Sequence, residues 1–234
     1  MDKADEFVLP DTAKLEAMAE FAAGAGHEIN NPLATIIGRA QLLLRDEPDP
    51  QRRQMLMSIG AQAYRIRDMI GDTMLFARPP APACERISLH ETISSVVGKL
   101  TDELKTGRCI VRIQCDEAIH LHADAGQLSV VLSELIRNSR QALQPDGGEI
   151  HVSAVPREGI AILEIRDSGR GFSEIERQHA FDPFFSGRQA GRGLGFGLAK
   201  CWRIVGLHGG KIEIQSAEQG LTTVRILWPI APNG

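Results

Sequence analysis

The stretch FAAGAGHEINNPL, residues 21–33, determines how the N-terminal part of the chain is organised. It lies inside a long helical pattern, because apolar residues recur on one stripe when successive residues advance by about 100°. The members of this stripe are Leu15, Met18, Ala19, Ala22, Ile29, Leu33, Ile36, Ala40 and Leu43. On the same construction His27 lies roughly 150° from the centre of the stripe and is expected to face solvent. Pro32 cannot donate a hydrogen bond to the carbonyl of Glu28, so the helix is expected to bend just past the histidine.

Three features of this stretch favour a chemical role for His27 over that of an ordinary exposed histidine. Glu28 adjoins the imidazole, and Asn31 lies one turn on and shares the face of His27. Small residues occupy positions 23–26, although glycine within a helix costs about 1 kcal/mol relative to alanine. Because Pro32 also deforms the helix here, we infer that open space beside His27 serves a purpose.

The composition is that of an ordinary globular protein of 234 residues, with 43% hydrophobic and 24% charged residues and a net charge of −4. This charge argues against a basic surface of the kind that binds nucleic acid. No apolar run approaches the ~18 residues of a membrane span, and the N-terminus lacks the apolar core of a signal peptide. The four cysteines have no CxxC spacing, which argues against a zinc site and for a reducing compartment. We expect a cytoplasmic protein that reaches a membrane only if a sensor segment outside this sequence supplies the anchor.

Two amphipathic helices are predicted in the N-terminal domain, residues 1–77. The first covers 12–45, the second covers 51–77, and an acidic turn with two prolines at 46–50 separates them. The apolar stripe of the second helix consists of Met55, Ile59, Ala63, Ile66 and Ile70. A single hairpin cannot cover its own apolar faces, whereas two hairpins packed as a four-helix bundle can. The sequence therefore predicts a homodimer.

A proline-rich linker is predicted at 78–87 and a second domain at 88–234. The predicted helices of the second domain are 89–104, 126–143 and 194–206, and its predicted strands are 107–114, 118–123, 149–155, 160–166, 211–216 and 222–228. Ser88 is expected to cap the first helix, with Glu91 three residues further on. The predicted fold class is α+β: a helical hairpin followed by an α/β sandwich.

Three segments of the second domain suggest nucleotide chemistry. Asn138 lies within a helix with Glu134 one turn before it, and its amide oxygen suits Mg²⁺. Asp167 ends a strand and can accept a hydrogen bond from an exocyclic amine, while the glycines that follow it let the backbone approach a flat base. Glycines crowded between 187 and 197 leave amides free for phosphate oxygens ahead of a helix. Each segment alone is a weak indication, and neither a GxGxxG nor a GxxxxGK[ST] loop is present.

Taken in order, these segments resemble the sequence boxes of bacterial two-component sensor histidine kinases. Residues 27–33 resemble the phosphoacceptor box of that family, His-Glu-aliphatic-Asn/Arg-Asn/Thr-Pro-Leu. The four ATP boxes are matched by LSELIRNSRQAL around Asn138, DSGRG at 167–171, FDPFF at 181–185 and the Gly-x-Gly-x-Gly of 193–197. The resemblance spans roughly residues 15–230. It implies a dimerisation and histidine-phosphotransfer hairpin followed by the Bergerat-type ATP-binding fold that histidine kinases share with gyrase B and MutL.

The resemblance implies an ATP-dependent protein-histidine kinase. His27 would be the phosphoacceptor whose neutral Nε2 attacks the γ-phosphate of ATP, and Glu28 would take up or hold the proton on Nδ1. The phosphoryl group would then pass to an aspartate on the receiver domain of a response regulator. Asn31 matches the position that orients water for dephosphorylating that regulator, so a phosphatase activity is also implied.

The resemblance also implies the composition of the ATP site. Asn138 would ligate Mg²⁺ bridging the phosphates, so that the metal neutralises developing charge. Asp167 would bind the adenine amine. The further nucleotide contacts that it implies are Gly169, Gly171, Phe184, Arg188, Gly193, Leu194, Gly195 and Gly197.

Three positions depart from the family pattern. Glu134 replaces the first asparagine of an Asn-x-x-x-Asn box, and it could activate water, as in gyrase-like ATPases, or deprotonate or orient the incoming histidine. Gln141 stands where a basic residue is frequent, so a phosphate contact there would fall to Arg137 or Arg140. Arg188 stands where lysine is frequent and could clamp phosphate or remain a solvated charge.

Two rival functions stay open on the sequence alone. An ATP-hydrolysing conformational switch of the gyrase type would use Glu134 as its base, and a dimeric scaffold would keep the fold without catalysis. The full set of ATP boxes argues against the scaffold, and the intact histidine box argues against the switch. Acid-labile label on the protein, release of phosphate without label, and absence of ATP binding distinguish the three functions.

Overall fold

The computed structural model describes residues 12–185, 195–216 and 220–230, and for residues 12–16, 18, 19, 22, 23, 25 and 27 of the first helix it describes the backbone only. The chain forms two compact units, the first ending at Pro80 and the second beginning at Ala81. The first unit is a helical hairpin and the second is an α/β domain, which confirms the predicted fold class. Among the described residues, no helix is long and apolar enough to cross a membrane.

The hairpin consists of α1 (Thr12–Asp46) and α2 (Pro50–Ala77), and α1 continues through Pro32. The acidic turn between them starts the second helix. The Asp49 carboxylate accepts hydrogen bonds from the backbone amides of Gln51 at 2.8 Å and Arg52 at 3.1 Å. Pro50 occupies the first turn of α2, where no intrahelical donor is needed.

The two helices of the hairpin pack through a narrow apolar seam. Leu33 and Ile37 of α1 are buried with Ala63 of α2, and Tyr64 packs against them. The predicted stripes are therefore only partly covered within one hairpin. Their large members that remain exposed are Ile29, Ile36, Leu43, Met55, Ile59 and Ile66.

The α/β domain is built on a five-stranded sheet. Its strands and those of a small ribbon are β1 (Glu85–Ser88), β2 (Cys109–Cys115), β3 (His120–Ala123), β4 (Gly148–Arg157), β5 (Ile160–Asp167), β6 (Lys211–Ser216) and β7 (Thr222–Pro229). The large sheet has the order β2-β4-β5-β7-β6, in which β2 and β4 are parallel and the other neighbours are antiparallel. β1 pairs antiparallel with β3.

Helices cover one face of this sheet. They are α3 (Leu89–Lys99), α4 (Thr101–Thr106), α5 (Ala125–Ala142) and α7 (Gly197–Leu207), and a further short helix, α6 (Glu174–Gln178), follows β5. Alternate residues of β4, namely Ile150, Val152 and Ala154, are buried on the covered face, as a strand with one solvated face requires. Leu128 and Leu132 of α5 are fully buried against the same core. Because these apolar residues fix the rotation of α5, they also fix where its polar residues lie.

The structure differs from the sequence prediction in three elements. Residues 85–87, predicted as linker, belong to β1, because the pairing partner of this strand lies in β3, more than thirty residues further on. The predicted helix 89–104 is two helices that meet at Leu100. The region 167–193, where no helix or strand was predicted, contains the short helix α6, and Ser173 and Glu176 form a capping box at its N-terminus.

Candidate functional site

Glu134 and Asn138 lie one turn apart on α5 and face the first residue of α7. A Cβ placed on Gly197 would lie 2.9 Å from Oε2 of Glu134 and 3.7 Å from Nδ2 of Asn138. Gly197 therefore leaves room for both polar side chains beside the N-terminal turn of α7. The structure thus brings Gly197, from the glycine box, next to Glu134 and Asn138, which share the asparagine box.

Glu134 is ion-paired with a residue that the sequence analysis did not select. Nζ of Lys200, on α7, donates to Oε1 of Glu134 at 2.9 Å. The Lys200 side chain is only 6% exposed and that of Glu134 is 22% exposed. One carboxylate oxygen thus contacts an ammonium group, while the other lies against Gly197.

Asp167 ends β5 as a buried carboxylate that is held in one orientation. Oγ of Ser139, on α5, donates to Oδ2 at 2.7 Å, and the amide of Gly169 donates to Oδ1 at 3.0 Å. Burial raises the pKa of the Asp167 carboxyl, and the hydrogen bonds from Ser139 and Gly169 oppose that rise. A buried carboxylate of fixed orientation is suited to accept a hydrogen bond from a ligand amine.

The glycine-rich loop after Asp167 lies against the C-terminal end of α5. A Cβ on Gly169 would lie 2.6 Å from the backbone of Ala142, so only glycine fits there. The amide of Arg170 donates to the carbonyl of Ala142 at 3.2 Å. The guanidinium of Arg170 forms two hydrogen bonds to Glu176 of α6, at 3.0 and 2.8 Å. These contacts hold the loop in place beside Asp167.

Phe184 lies at the edge of a small aromatic contact. Its ring packs edge-to-face on Phe196, with centroids 4.6 Å apart, although 61% of the residue remains exposed. A Cβ on Gly195 would lie 2.4 Å from the carbonyl oxygen of Phe185, and Gly195 has a φ of +71°. Glycine is therefore required where the segment of Phe184 and Phe185 meets the start of α7.

The two arginines considered as substitutes for a basic residue at Gln141 contact another part of the domain. The guanidinium of Arg137 donates to the carboxylate of Glu103 on α4 at 3.0 and 2.8 Å. The side chain of Arg140 lies so close to Gly107 that a Cβ there would be 2.9 Å from its Cγ. The described contacts of both arginines thus lie toward α4, whereas Glu134 and Asn138 face α7.

Several predicted site residues lie outside the described part of the structure. These are Arg188, Gly193 and Leu194, together with the side chain of His27. The backbone of His27 belongs to α1, and the neighbouring Glu28 and Asn31 are exposed.

Gly26 has a packing role that the sequence did not suggest. A Cβ at this position would lie 3.3 Å from Cγ2 of Ile70 on α2, so the glycine lets the two helices approach each other.

The described residues of the α/β domain fit an adenine nucleotide. Asp167 can bind the exocyclic amine. Gly169 has no side chain, and its backbone lies in close contact with the backbone of Ala142. No group of three or more His, Cys, Asp or Glu among the described residues could hold a metal by itself. Asn138 would offer its amide oxygen, an oxygen ligand of the kind that Mg²⁺ prefers.

Two family matches cover most of the chain. Residues 17–82 match HisKA, the His Kinase A phosphoacceptor domain, and residues 123–232 match HATPase_c, the histidine kinase-, DNA gyrase B- and HSP90-like ATPase domain. The chain contains the catalytic core of a two-component sensor histidine kinase. Within this histidine kinase core, the hairpin is the HisKA domain and the α/β unit contains the ATPase-type domain.

Relatives of this histidine kinase core extend over nearly its whole length. Sensory histidine kinase/phosphatase NtrB of Klebsiella oxytoca is 32% identical over 86% of the chain and 59% of its own length. Sporulation kinase D of Bacillus subtilis is 28% identical over 94% of the chain and 44% of its own length. The chain therefore spans about half the length of the relatives that it matches.

Solved histidine kinase structures share this fold. Full-length ShkA, in complex with AMPPNP, superposes with a TM-score of 0.80 at 19% identity and covers 92% of this chain and 46% of its own. Histidine kinase AdeS of Acinetobacter baumannii gives a TM-score of 0.64 at 18% identity and covers 88% of this chain and 98% of its own. At such identities the likeness concerns the fold alone.

Two residues of the site were missed by the sequence analysis. Ser139 follows Asn138 directly, and only the fold reveals that its hydroxyl contacts Asp167. Lys200 could have been noticed, because it is a charged residue in the largely apolar stretch of the helix that follows the glycines. A charge on the buried face of a helix usually requires a partner of opposite charge.

Proposed function

We propose that the chain is an ATP-dependent protein-histidine kinase that phosphorylates His27 and transfers the phosphoryl group to an aspartate of a response regulator. The observation that supports this most is the oriented, buried carboxylate of Asp167, held by Ser139 and Gly169. It occurs in a chain that also carries the phosphoacceptor domain of the same family.

The adenine base would be bound by Asp167, whose carboxylate accepts a hydrogen bond from the exocyclic amine, with Gly169 and Gly171 beneath the ring. The glycines of 193–197 would donate backbone hydrogen bonds to phosphate oxygens at the N-terminus of α7. Phe184, Arg188 and Leu194 complete the proposed nucleotide contacts.

Asn138 would hold Mg²⁺ through its amide oxygen. Bound there, the ion supplies neutralisation of phosphate charge during phosphoryl transfer. The position of Asn138, one turn after Glu134 and facing the start of α7, supports this assignment.

The phosphoryl transfer would take place at the imidazole of His27. Its neutral Nε2 forms a bond to the γ-phosphorus while the bond from that phosphorus to the β,γ-bridging oxygen breaks, and ADP leaves with the electron pair. Glu28 would hold the proton on Nδ1 and so keep the Nε2 lone pair available. The phosphohistidine then donates its phosphoryl group to the aspartate of the receiver domain.

The hairpin is proposed to act as a homodimer. Two apolar rows remain exposed on one hairpin, with heptad spacing at Ile29, Ile36 and Leu43 of α1 and at Ile59 and Ile66 of α2. A second hairpin that covers both rows completes a four-helix bundle.

A phosphatase activity on the same regulator is proposed for the exposed Asn31. Its amide would orient a water molecule toward the phosphoaspartate. NtrB, whose name includes both activities, is 32% identical to this chain.

The test is to incubate the protein with γ-labelled ATP and Mg²⁺ and to compare it with His27→Ala. A matched control is His151→Ala, because His151 is an exposed histidine on the open face of the sheet. We expect acid-labile, base-stable label on the wild type and on His151→Ala, and none on His27→Ala.

Label that persists in His27→Ala would refute His27 as the acceptor. Turnover of ATP without any labelled protein would refute the kinase and favour hydrolysis, with Glu134→Ala as the variant that tests the base.

A further inference from the structure

Lys200 is a buried ammonium group in a helix whose other buried residues are apolar. Ala199, Cys201 and Ile204 surround it along α7, and its side chain is 6% exposed. Burying a charge is unfavourable unless it is paired and hydrogen-bonded. A lysine is therefore tolerated here because of a partner.

Glu134 is that partner, and its carboxylate lies beside the first turn of α7. Oε1 accepts the hydrogen bond from Lys200 Nζ at 2.9 Å, while Oε2 lies 2.9 Å from where a Cβ of Gly197 would be. The ion pair thus joins α5 to the first turn of α7. This is the turn whose backbone amides are proposed to bind phosphate.

A carboxylate beside that turn creates an electrostatic difficulty. An ionised Glu134 would repel the phosphates of a nucleotide in a partly buried site, where charges interact more strongly than in water. The ammonium group of Lys200 contacts Oε1 of this carboxylate, whereas Oε2 is the oxygen that faces Gly197.

We propose that Lys200 is a positioning residue for ATP: it neutralises and orients Glu134 so that a triphosphate can bind next to a carboxylate. The inference rests on the proposed function only in that ATP binds at the start of α7. It predicts that the importance of Lys200 depends on Glu134 and grows with the negative charge of the ligand.

The experiment measures binding of adenosine, ADP and ATP to Lys200→Met, Glu134→Gln and the double variant, by displacement of a fluorescent adenine nucleotide. It is performed at pH 8, where carboxylates are normally ionised, and in EDTA, so that metal does not mask phosphate charge. Thermal unfolding of each variant establishes that the domain folds.

In Lys200→Met we expect ATP affinity to fall at least about tenfold, ADP affinity to fall less and adenosine affinity to stay within about twofold, as Coulomb repulsion requires. The double variant should bind ATP about as tightly as Glu134→Gln, because removing the carboxylate removes the need for the ammonium group. Glu134→Gln alone should bind ATP at least as tightly as the wild type. This last variant keeps the test decisive if Lys200→Met does not fold.

Equal losses for all three ligands would overturn the proposal and mark Lys200 as a structural link between α5 and α7. A double variant that remains as weak as Lys200→Met would also overturn it, since Lys200 would then contact phosphate directly. Failure of the proposed nucleotide site has a separate signature, because the wild type would then bind none of the three ligands, and failure of the kinase activity itself is seen as missing label on a protein that still binds ATP.

Discussion

Replacing Asp167 by asparagine should separate the stability of the α/β domain from its affinity for nucleotide. Asparagine has the shape of aspartate, so its Oδ1 can still accept from the amide of Gly169, now at 3.0 Å, and its Nδ2 can donate to Oγ of Ser139, now at 2.7 Å. The substitution therefore removes the charge while it keeps both contacts.

The effect on stability follows from the pKa of Asp167, which burial raises. A raised pKa in the folded state means that folding favours the protonated form. The stabilising contribution of this group is present below the pKa that the Asp167 carboxyl has in the unfolded chain. It is lost as pH rises through the pKa that the same group has in the folded protein. At pH 7 the charged carboxylate thus costs stability, and Asp167→Asn should unfold at a temperature equal to or above that of the wild type. The difference should vanish below about pH 4.

The effect on binding has the opposite sign. A hydrogen bond to a charged group contributes about 1.5–3 kcal/mol, and each 1.4 kcal/mol changes an equilibrium about tenfold. Asp167→Asn should therefore weaken ATP binding by about 10- to 100-fold.

Two measurements on the unliganded and liganded protein test this prediction. Thermal unfolding is followed by tryptophan fluorescence, which reports on this domain because both tryptophans, Trp202 and Trp228, lie in it. Affinity is measured by isothermal titration calorimetry. Asp146→Asn is the matched control, since Asp146 is exposed in the turn after α5. A variant that loses several degrees of stability yet binds ATP normally would show that Asp167 is structural, and the reasoning would be wrong.

Three further perturbations follow from the same structure. Gly169→Ala places a Cβ 2.6 Å from the Ala142 backbone and should therefore lower both the melting temperature and the affinity for ATP. Calorimetry with and without ATP measures both quantities, and a variant as stable as the wild type would contradict this close contact. Ile66→Glu should convert the dimer to a monomer in sedimentation. The control Leu42→Glu changes an exposed residue off the proposed interface and should leave the dimer intact. An unchanged mass for Ile66→Glu would refute that interface. The hydrogen bonds from Arg170 lower the pKa of Glu176, so this carboxylate stabilises the fold at neutral pH and the contribution is lost as pH falls through its lowered pKa. Glu176→Gln should consequently cost about 1–3 kcal/mol at pH 7 and progressively less below about pH 4 in urea unfolding, and a cost independent of pH would argue against the charge.

Local sequence patterns were sufficient to predict most elements. The helical periodicity and the turn of Asp49 and Pro50 give α1 and α2 almost to the residue. The strands at 211–216 and 222–228 were likewise predicted close to their observed bounds. These features succeed because periodicity, capping and turn chemistry act over a few neighbouring residues.

Long-range pairing could not be predicted in this way. β1 was assigned to a linker, since four residues with little alternation form a strand only when β3 lies beside them. Asp124, the residue after β3, accepts a hydrogen bond from the amide of Ala83, which lies 41 positions earlier. No local pattern indicates this contact.

By itself the sequence determined the order of the two domains, the candidate phosphoacceptor His27 and the candidate nucleotide residues Asn138 and Asp167. Only the tertiary structure showed that Ser139 contacts Asp167 and that Lys200 forms an ion pair with Glu134. The first contact joins residues that are 28 positions apart in the sequence, and the second joins residues that are 66 positions apart. They exist because apolar packing fixes the rotation of α5 against the sheet and against α7, and that rotation decides which polar groups meet.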